Sequence, residues 1–284
     1  MTEQEPRPLD GRHIAITRPP SQAAALAERL AALGARVTAL PAIRIAPSED
    51  TAGLDTAIGE LSTYDWLVFT SANGVAAFAE RLAALGRAWS DHGRARLAAI
   101  GPATAEALGE QGVAADLVPE EFVAEALVES LGNVAGQRIL LPRADIAREA
   151  LARELRVRGA DVTELVAYRT VVEPIPPDLL RRALREDRVD AVTFTSSSTV
   201  RGLVQSLTES GLSPREALRG IALAAIGPIT AATLREYGLE PAVVAEEYTI
   251  PGLVRALVAY FAATSASSAS SASSASPAQP REGV

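Results

Sequence analysis

Serine, threonine, glycine and arginine recur in this chain at the places where a parallel α/β fold would bind a ligand. T-S-A-N-G-V at 70–75 and T-S-S-S-T-V at 195–200 supply hydroxyls and backbone N–H groups just before a helix start. Ser71, Ala72 and Asn73 in the first copy, with Ser196 and Ser197 in the second, form a cradle suited to a carboxylate or phosphate. Either copy alone reads equally well as an ordinary helix cap. I-G-P-A-T at 100–104 and I-G-P-I-T at 226–230 place Gly101 or Gly227 for a tight turn and a proline in the first helical turn. Thr104 or Thr230 then leaves a hydroxyl near unpaired amides, although turn chemistry alone also accounts for these motifs. Arg18 in T-R-P and Arg143 in L-P-R follow predicted strands, and the guanidinium fork fits a carboxylate. Arg44 and Arg169 lie on extended connectors and read as surface charge. One phenol stands apart, Tyr168 in L-V-A-Y-R-T-V.

Other chemistries lack their residues. The 284-residue chain has no cysteine, and all 27 of its basic residues are arginines. Disulfides, thiolate nucleophiles, Schiff-base lysines and a phosphate-loop lysine are therefore absent. Its two histidines cannot build a metal centre, and no Ser-His-Asp arrangement is visible. His13 falls inside the first strand and reads as structural; His92 follows Asp91 in a polar loop and reads as solvated. Glu120–Glu121 and Glu246–Glu247 head helices, where carboxylates are favourable in any case. A net charge of −8 argues against broad nucleic-acid binding. No apolar run is long enough to span a bilayer, and the polar N-terminus is no signal peptide, so the expected location is the cytoplasm. What remains is a site of amides, hydroxyls and arginines with one phenol. It suits a polyanion that is already reactive and needs shaping.

The elements that must position these residues are written twice. Arg18 stands 125 positions before Arg143, Y-D-W-L-V-F-T-S at 64–71 faces V-D-A-V-T-F-T-S at 189–196 at the same spacing, and L-A-A-I-G-P-A-T-A faces L-A-A-I-G-P-I-T-A at 126. The connectors R-V-T-A-L-P-A-I-R-I-A-P and D-V-T-E-L-V-A-Y-R-T-V-V-E-P also correspond, and only the later one carries a tyrosine. Short apolar strands are predicted at 12–17, 66–70, 96–100, 113–118, 138–141, 191–195, 221–226 and 241–244. Helices are predicted between them, the last at 250–262. Pro41 makes a central strand through the first connector unfavourable. Such alternation means parallel sheets with helices on both faces, and ligands beyond the C-terminal strand ends. Residues 1–10 are expected to be a flexible leader, and the Ser/Ala-rich stretch 263–284 a disordered tail.

Taken together and in order, T-R-P, V-F-T-S-A-N-G-V, T-F-T-S-S-S-T-V, A-A-I-G-P-x-T-A, L-V-A-Y-R-T-V and Y-T-I-P-G-L-V-R-A-L resemble the bacterial uroporphyrinogen-III synthase family over about residues 11–262. The resemblance implies two similar parallel-sheet α/β domains joined by a two-stranded linker, with a cleft between them. Domain 1 would be 11–38 plus 172–262, and domain 2 would be 39–171, with linker strands at 39–47 and 163–171. It also implies closure of hydroxymethylbilane to uroporphyrinogen III, with loss of water and inversion of ring D through a spiro-pyrrolenine. No cofactor and no metal are implied. Tyr168 matches the family's notable tyrosine and would assist departure of the hydroxyl. Arg18, Ser71, Ala72, Asn73, Gly101, Thr104, Arg143, Ser196, Ser197, Gly227 and Thr230 would take the eight carboxylates of the linear tetrapyrrole. A monomer is expected, with transient contact to the upstream bilane-forming enzyme, and no nucleic-acid or membrane partner. The competing reading is a non-catalytic two-domain binding protein for a small polyanion.

Overall fold

The computed structural model describes residues 7–147 and 149–273, side chains of 267–273 excepted. Along the chain the elements are β1 His13–Ile16, α1 Pro20–Ala32, β2 Arg36–Ala39, β3 Ile43–Pro47, α2 Ala52–Gly59, β4 Trp66–Phe69, α3 Ala72–Ala84, β5 Arg96–Ala99, α4 Pro102–Glu110 and α5 Ala124–Leu131. Then follow β6 Arg138–Ala144, α6 Ala150–Val157, β7 Asp161–Val172, α7 Pro177–Arg181 (continued by a π turn, Arg182–Glu186), β8 Ala191–Phe194 and α8 Ser197–Glu209. The last are α9 Pro214–Ala217, β9 Ala222–Ala225, α10 Pro228–Glu236, β10 Val243–Val244 and α11 Ile250–Ser273.

The chain divides into two compact units. One takes the chain up to Ile43 and again from Val172; the other is Arg44–Val171. In the first, five strands lie in the order β2-β1-β8-β9-β10, every pair parallel. In the second the order is β3-β7-β6-β4-β5, with parallel pairs from β7 to β5. Placing positions 125 or 126 apart side by side, β7-β6-β4-β5 matches β2-β1-β8-β9. Where the first unit has β10, the second has only a parallel bridge from Leu117 to Ala98, so the strand predicted at 113–118 is a single bridge. Pro41 falls in the gap between β2 and β3, and β3 ends at Pro47 on a sheet edge, where a missing donor is tolerated.

Alternation of side chains sets the cores. In the first unit Ala15, Val192, Phe194, Leu223 and Ala225 point into one buried cluster, while Ile14, Ile16, Ala191, Ala222 and Ala224 point into another. In the second, Leu67, Phe69, Leu97 and Ala99 face one cluster and Trp66, Val68, Ala98 and Ile139 face the other. Both faces of each sheet are therefore covered, which is why the strands read as continuous apolar runs. Asp65 and Asp190 lock corresponding strand starts: the Asp65 carboxylate accepts the Arg138 N–H at 2.9 Å, and that of Asp190 accepts the His13 N–H at 2.7 Å.

Three expectations are corrected. Of the expected leader, residues 7–10 are packed: Leu9 is fully buried, its N–H donates to Leu33 O at 2.9 Å, and a Cβ on Gly34 would meet Asp10 at 3.0 Å. Residues 1–6 lie outside the described residues. The stretch expected to be disordered from 263 continues α11 to Ser273. A helix nucleated on buried Leu253, Leu257 and Phe261 extends into the Ser/Ala stretch, where the interspersed alanines favour it and neither Gly nor Pro interrupts it. The remainder, 274–284, lies outside the described residues. Finally, His92 ends a 3-10 turn, Trp89–His92, with Nδ1 buried and unpartnered, where a solvated loop was expected.

Candidate active site

At the C-terminal ends of β4, β6 and β7 the Arg44–Val171 unit gathers the phenol and its partners. Ser71 leaves β4 in extended conformation and caps α3, its Oγ accepting the Gly74 N–H at 3.0 Å. The same Oγ lies 2.9 Å from Tyr168 Oη, and the Asn73 side chain also bonds the phenol. Tyr168 reaches them through a bulge: β6 pairs Arg143 with Val166 and then Ala144 with Tyr168, skipping Ala167. A bulge re-aims the side chains that follow it. Asp145 fastens this stretch, its N–H donating to Tyr168 O at 3.1 Å and its Oδ1 accepting the Thr170 N–H at 3.0 Å.

Tyr168 is only 6% exposed. Burial pushes its phenol above the ordinary tyrosine value; hydrogen bonds from Ser71 and Asn73 oppose the rise, and the Asp145 carboxylate adds to it. The phenol is thus a proton carrier at neutral pH, able to donate a hydrogen bond and unsuited to act as a base.

Farther along the same edge, Gly101 precedes α4 and Thr104 is buried in its first turn. Arg143 has a different fate from the one expected. Its guanidinium pairs with Glu164 and donates to Ala147 O at 2.8 Å, and Glu164 also holds Arg156 at 2.7 Å. An anion would have to compete with Glu164 for it. Arg169 is paired with Glu49 at 2.8 Å.

The other unit builds its edge by the same local rules. Ser196 caps α8, accepting the Thr199 N–H at 3.3 Å, and Ser197 shares a 2.7 Å hydrogen bond with Thr233 of α10. Gly227 precedes α10, and Thr230 is buried in its first turn. Arg18 follows β1, where Thr17 Oγ1 donates to Thr193 O at 2.7 Å. One Arg18 nitrogen donates to Gln22 at 3.1 Å, but Nε is buried without a partner, and burial lowers the pKa of the guanidinium. A bound anion would satisfy that donor.

Sequence reasoning missed four residues here. Thr233 and Asp145 leave no local signal. Phe122 and Tyr248 do: each ends a repeated acid-acid-aromatic motif, P-E-E-F and A-E-E-Y, 126 positions apart. A Cβ on Gly101 would stand 3.1 Å from the Phe122 ring, and one on Gly227 3.1 Å from that of Tyr248. Both glycines are extended, at φ −171° and −176°, so the close approach of the rings, not the backbone conformation, is what a side chain there would meet. Among the described residues, no group of three or more histidine, aspartate or glutamate side chains could hold a metal, and no helix is long and apolar enough to cross a membrane.

The family model described as uroporphyrinogen-III synthase HemD matches residues 24–255. A uroporphyrinogen-III synthase of Synechococcus elongatus is 39% identical over 268 residues, covering 93% of this chain and all of that protein. A putative uroporphyrinogen-III synthase of Methanothermobacter thermautotrophicus is 35% identical over 252 residues, 86% of this chain and 96% of its own. In fold, the chain is similar to a mutant uroporphyrinogen III synthase of Thermus thermophilus, with TM-score 0.61 and 24% identity over 88% of this chain and 98% of that one. The uroporphyrinogen-III synthetase of Helicobacter pylori gives TM-score 0.57 at 16% identity, over 87% and 99%. With the doubly covered parallel sheets and the family model's long match in view, this chain belongs to the uroporphyrinogen-III synthase family.

Proposed function

We propose that this protein closes hydroxymethylbilane to uroporphyrinogen III, with loss of water and inversion of ring D through a spiro-pyrrolenine, and that Tyr168 assists the departing hydroxyl. The observation that carries the role of Tyr168 is its hydrogen-bonding geometry. The Gly74 N–H occupies one acceptor position on Ser71 Oγ, and the serine keeps its own proton and a second lone pair for the 2.9 Å contact with Tyr168 Oη, in which either oxygen can donate. In the arrangement where Ser71 donates to the phenol oxygen, as Asn73 does, the phenolic proton is left for the substrate.

In the reaction, the C–O bond of the terminal hydroxymethyl group breaks and leaves an azafulvene-like cation. The phenol donates a hydrogen bond to the departing oxygen; with a pKa above the ordinary value it need not transfer the proton fully. The cationic carbon bonds to the substituted α-carbon of ring D and forms the spiro intermediate. The older bond from that carbon to its bridging methylene then breaks, and the ring recloses through the unsubstituted α-carbon with loss of its proton. Hydroxyl and proton together make the water lost. The protein's part is to favour one closure over another by holding shape and excluding water.

Arg18, with its unsatisfied Nε, and the hydroxyls and amides of Ser71, Ala72, Asn73, Gly101, Thr104, Ser196, Ser197, Gly227 and Thr230 take the carboxylates. Arg143 contributes only if a carboxylate displaces Glu164. The duplicated two-domain plan, a cytoplasmic monomer without cofactor, and passing contact with the bilane-forming enzyme belong to the same reading. The test supplies enzymatically generated hydroxymethylbilane, oxidises the products and separates uroporphyrins I and III. Isomer III above the protein-free control is expected; isomer I alone at the spontaneous rate would overturn the catalytic reading.

A further inference from the structure

The strand-end edge of the first unit binds anions well on paper but has little to recognise a pyrrole ring. Its serines, threonines, amides and Arg18 all answer carboxylates. Two side chains differ: Ile229, in the first turn of α10, is 44% exposed, and Tyr248, whose ring lies on Gly227 at the start of that turn, is 41% exposed. Both flank Gly227, so exposed apolar surface stands beside the polar groups of this edge.

The loop that carries Tyr248 is also pinned. Thr249 N–H donates to Glu247 O at 2.8 Å, Gly252 N–H to Thr249 Oγ1 at 3.1 Å, and Leu253 N–H to Thr249 O at 2.9 Å. A Cβ on Gly252 would come within 2.1 Å of Glu247 O, so glycine is what lets the loop fold back on α11. Two glycines thus hold one tyrosine: Gly252 closes its loop and Gly227 clears room for its ring. Such bracing reduces the conformational freedom lost when a ligand stacks on the ring. The other unit lacks this surface, having Ala103 where Ile229 stands and the more buried Phe122 where Tyr248 stands.

We propose that Tyr248 and Ile229 form an apolar platform for a pyrrole ring of the bound tetrapyrrole, with Tyr248 as a positioning residue. The inference rests on the bilane-closing reading above. Stacking on the exposed ring would strengthen substrate binding beyond what carboxylate contacts supply, and the bridging carbons attached to that pyrrole would be oriented with it.

Steady-state kinetics with enzymatically generated hydroxymethylbilane test it, alongside thermal unfolding. Tyr248→Ala is expected to raise KM about five- to twentyfold with kcat within about twofold, and Tyr248→Phe to restore the wild-type KM. Ile229→Ser, a change on an exposed helix turn, should raise KM about threefold and carries the test by itself if Tyr248→Ala does not fold. An unchanged KM in folded Tyr248→Ala, or in Ile229→Ser if only that variant folds, overturns the platform, because a ring that merely plugs Gly227 would alter stability alone. A wild-type protein that makes no isomer III defeats the underlying reading instead, so the two failures are separable.

Discussion

The two units share a scaffold and differ in what they hang on it. Ser71 and Ser196 cap corresponding helices, Gly101 and Gly227 begin corresponding turns, and Thr104 and Thr230 are buried in corresponding first turns. Yet only one unit carries a phenol bonded to its capping serine, for the position 125 residues before Tyr168 is Ile43. Among the described residues, only the other has an arginine with an unsatisfied buried nitrogen, and the counterpart Arg143 is held by Glu164. Corresponding motifs therefore give both units hydroxyls and amides at their strand ends, while the serine-bonded phenol and the unsatisfied guanidinium nitrogen are residues the repeat does not share.

That difference can be broken most severely at the phenol. Tyr168→Phe is expected to lower kcat/KM at least about tenfold, in line with loss of one well-placed donor in a partly dry site. A loss below about threefold in isomer III formation would remove Tyr168 from the chemistry. Next come the paired arginines. Arg18→Ala should raise KM about tenfold with a smaller change in kcat, whereas Arg143→Ala should chiefly lower the melting temperature, by leaving Glu164 with Arg156 alone. Equal effects on KM would mean that carboxylates do displace Glu164.

The capping serines sharpen the comparison further. Ser71→Ala and Ser196→Ala should each cost about 1 kcal/mol of stability, read by denaturant unfolding. Only Ser71→Ala should also slow turnover, because Ser196 has no phenol to orient. The smallest expected effect is in pH dependence. The folded pKa of Tyr168 lies above the unfolded value of about 10, so its contribution to stability is complete below about pH 10 and is lost as pH rises through the folded value. Tyrosinate absorbance should show one late-titrating residue, absent from Tyr168→Phe. A full set of ordinary titrations would contradict burial as the controlling influence.

Much of this was legible in the residue order. Apolar runs such as W-L-V-F and I-A-L-A-A-I read as strands covered on both faces, because nothing polar interrupts them. Ser71 and Ser196 followed such runs directly and capped as expected, since a cap needs only its own residue and the next three. Tyr168 stood out as the tyrosine present in one connector and missing from the other. By contrast, Glu246–Glu247 read only as carboxylates at a helix start, because nothing local says that the ring of the next residue, Tyr248, folds back 21 positions onto Gly227.

What the sequence by itself determined, then, was the class of fold and the order of its elements, both of which follow from short-range periodicity and turn chemistry. Tertiary structure decided which candidates have the groups to act. The skipped residue Ala167 aims Tyr168 at a serine 97 positions away, Glu164 takes Arg143, and burial leaves Arg18 Nε without a partner. These outcomes depend on register between strands and on which charges become neighbours after packing. Neither quantity is encoded in any window of adjacent residues, because both are set by the whole sheet at once.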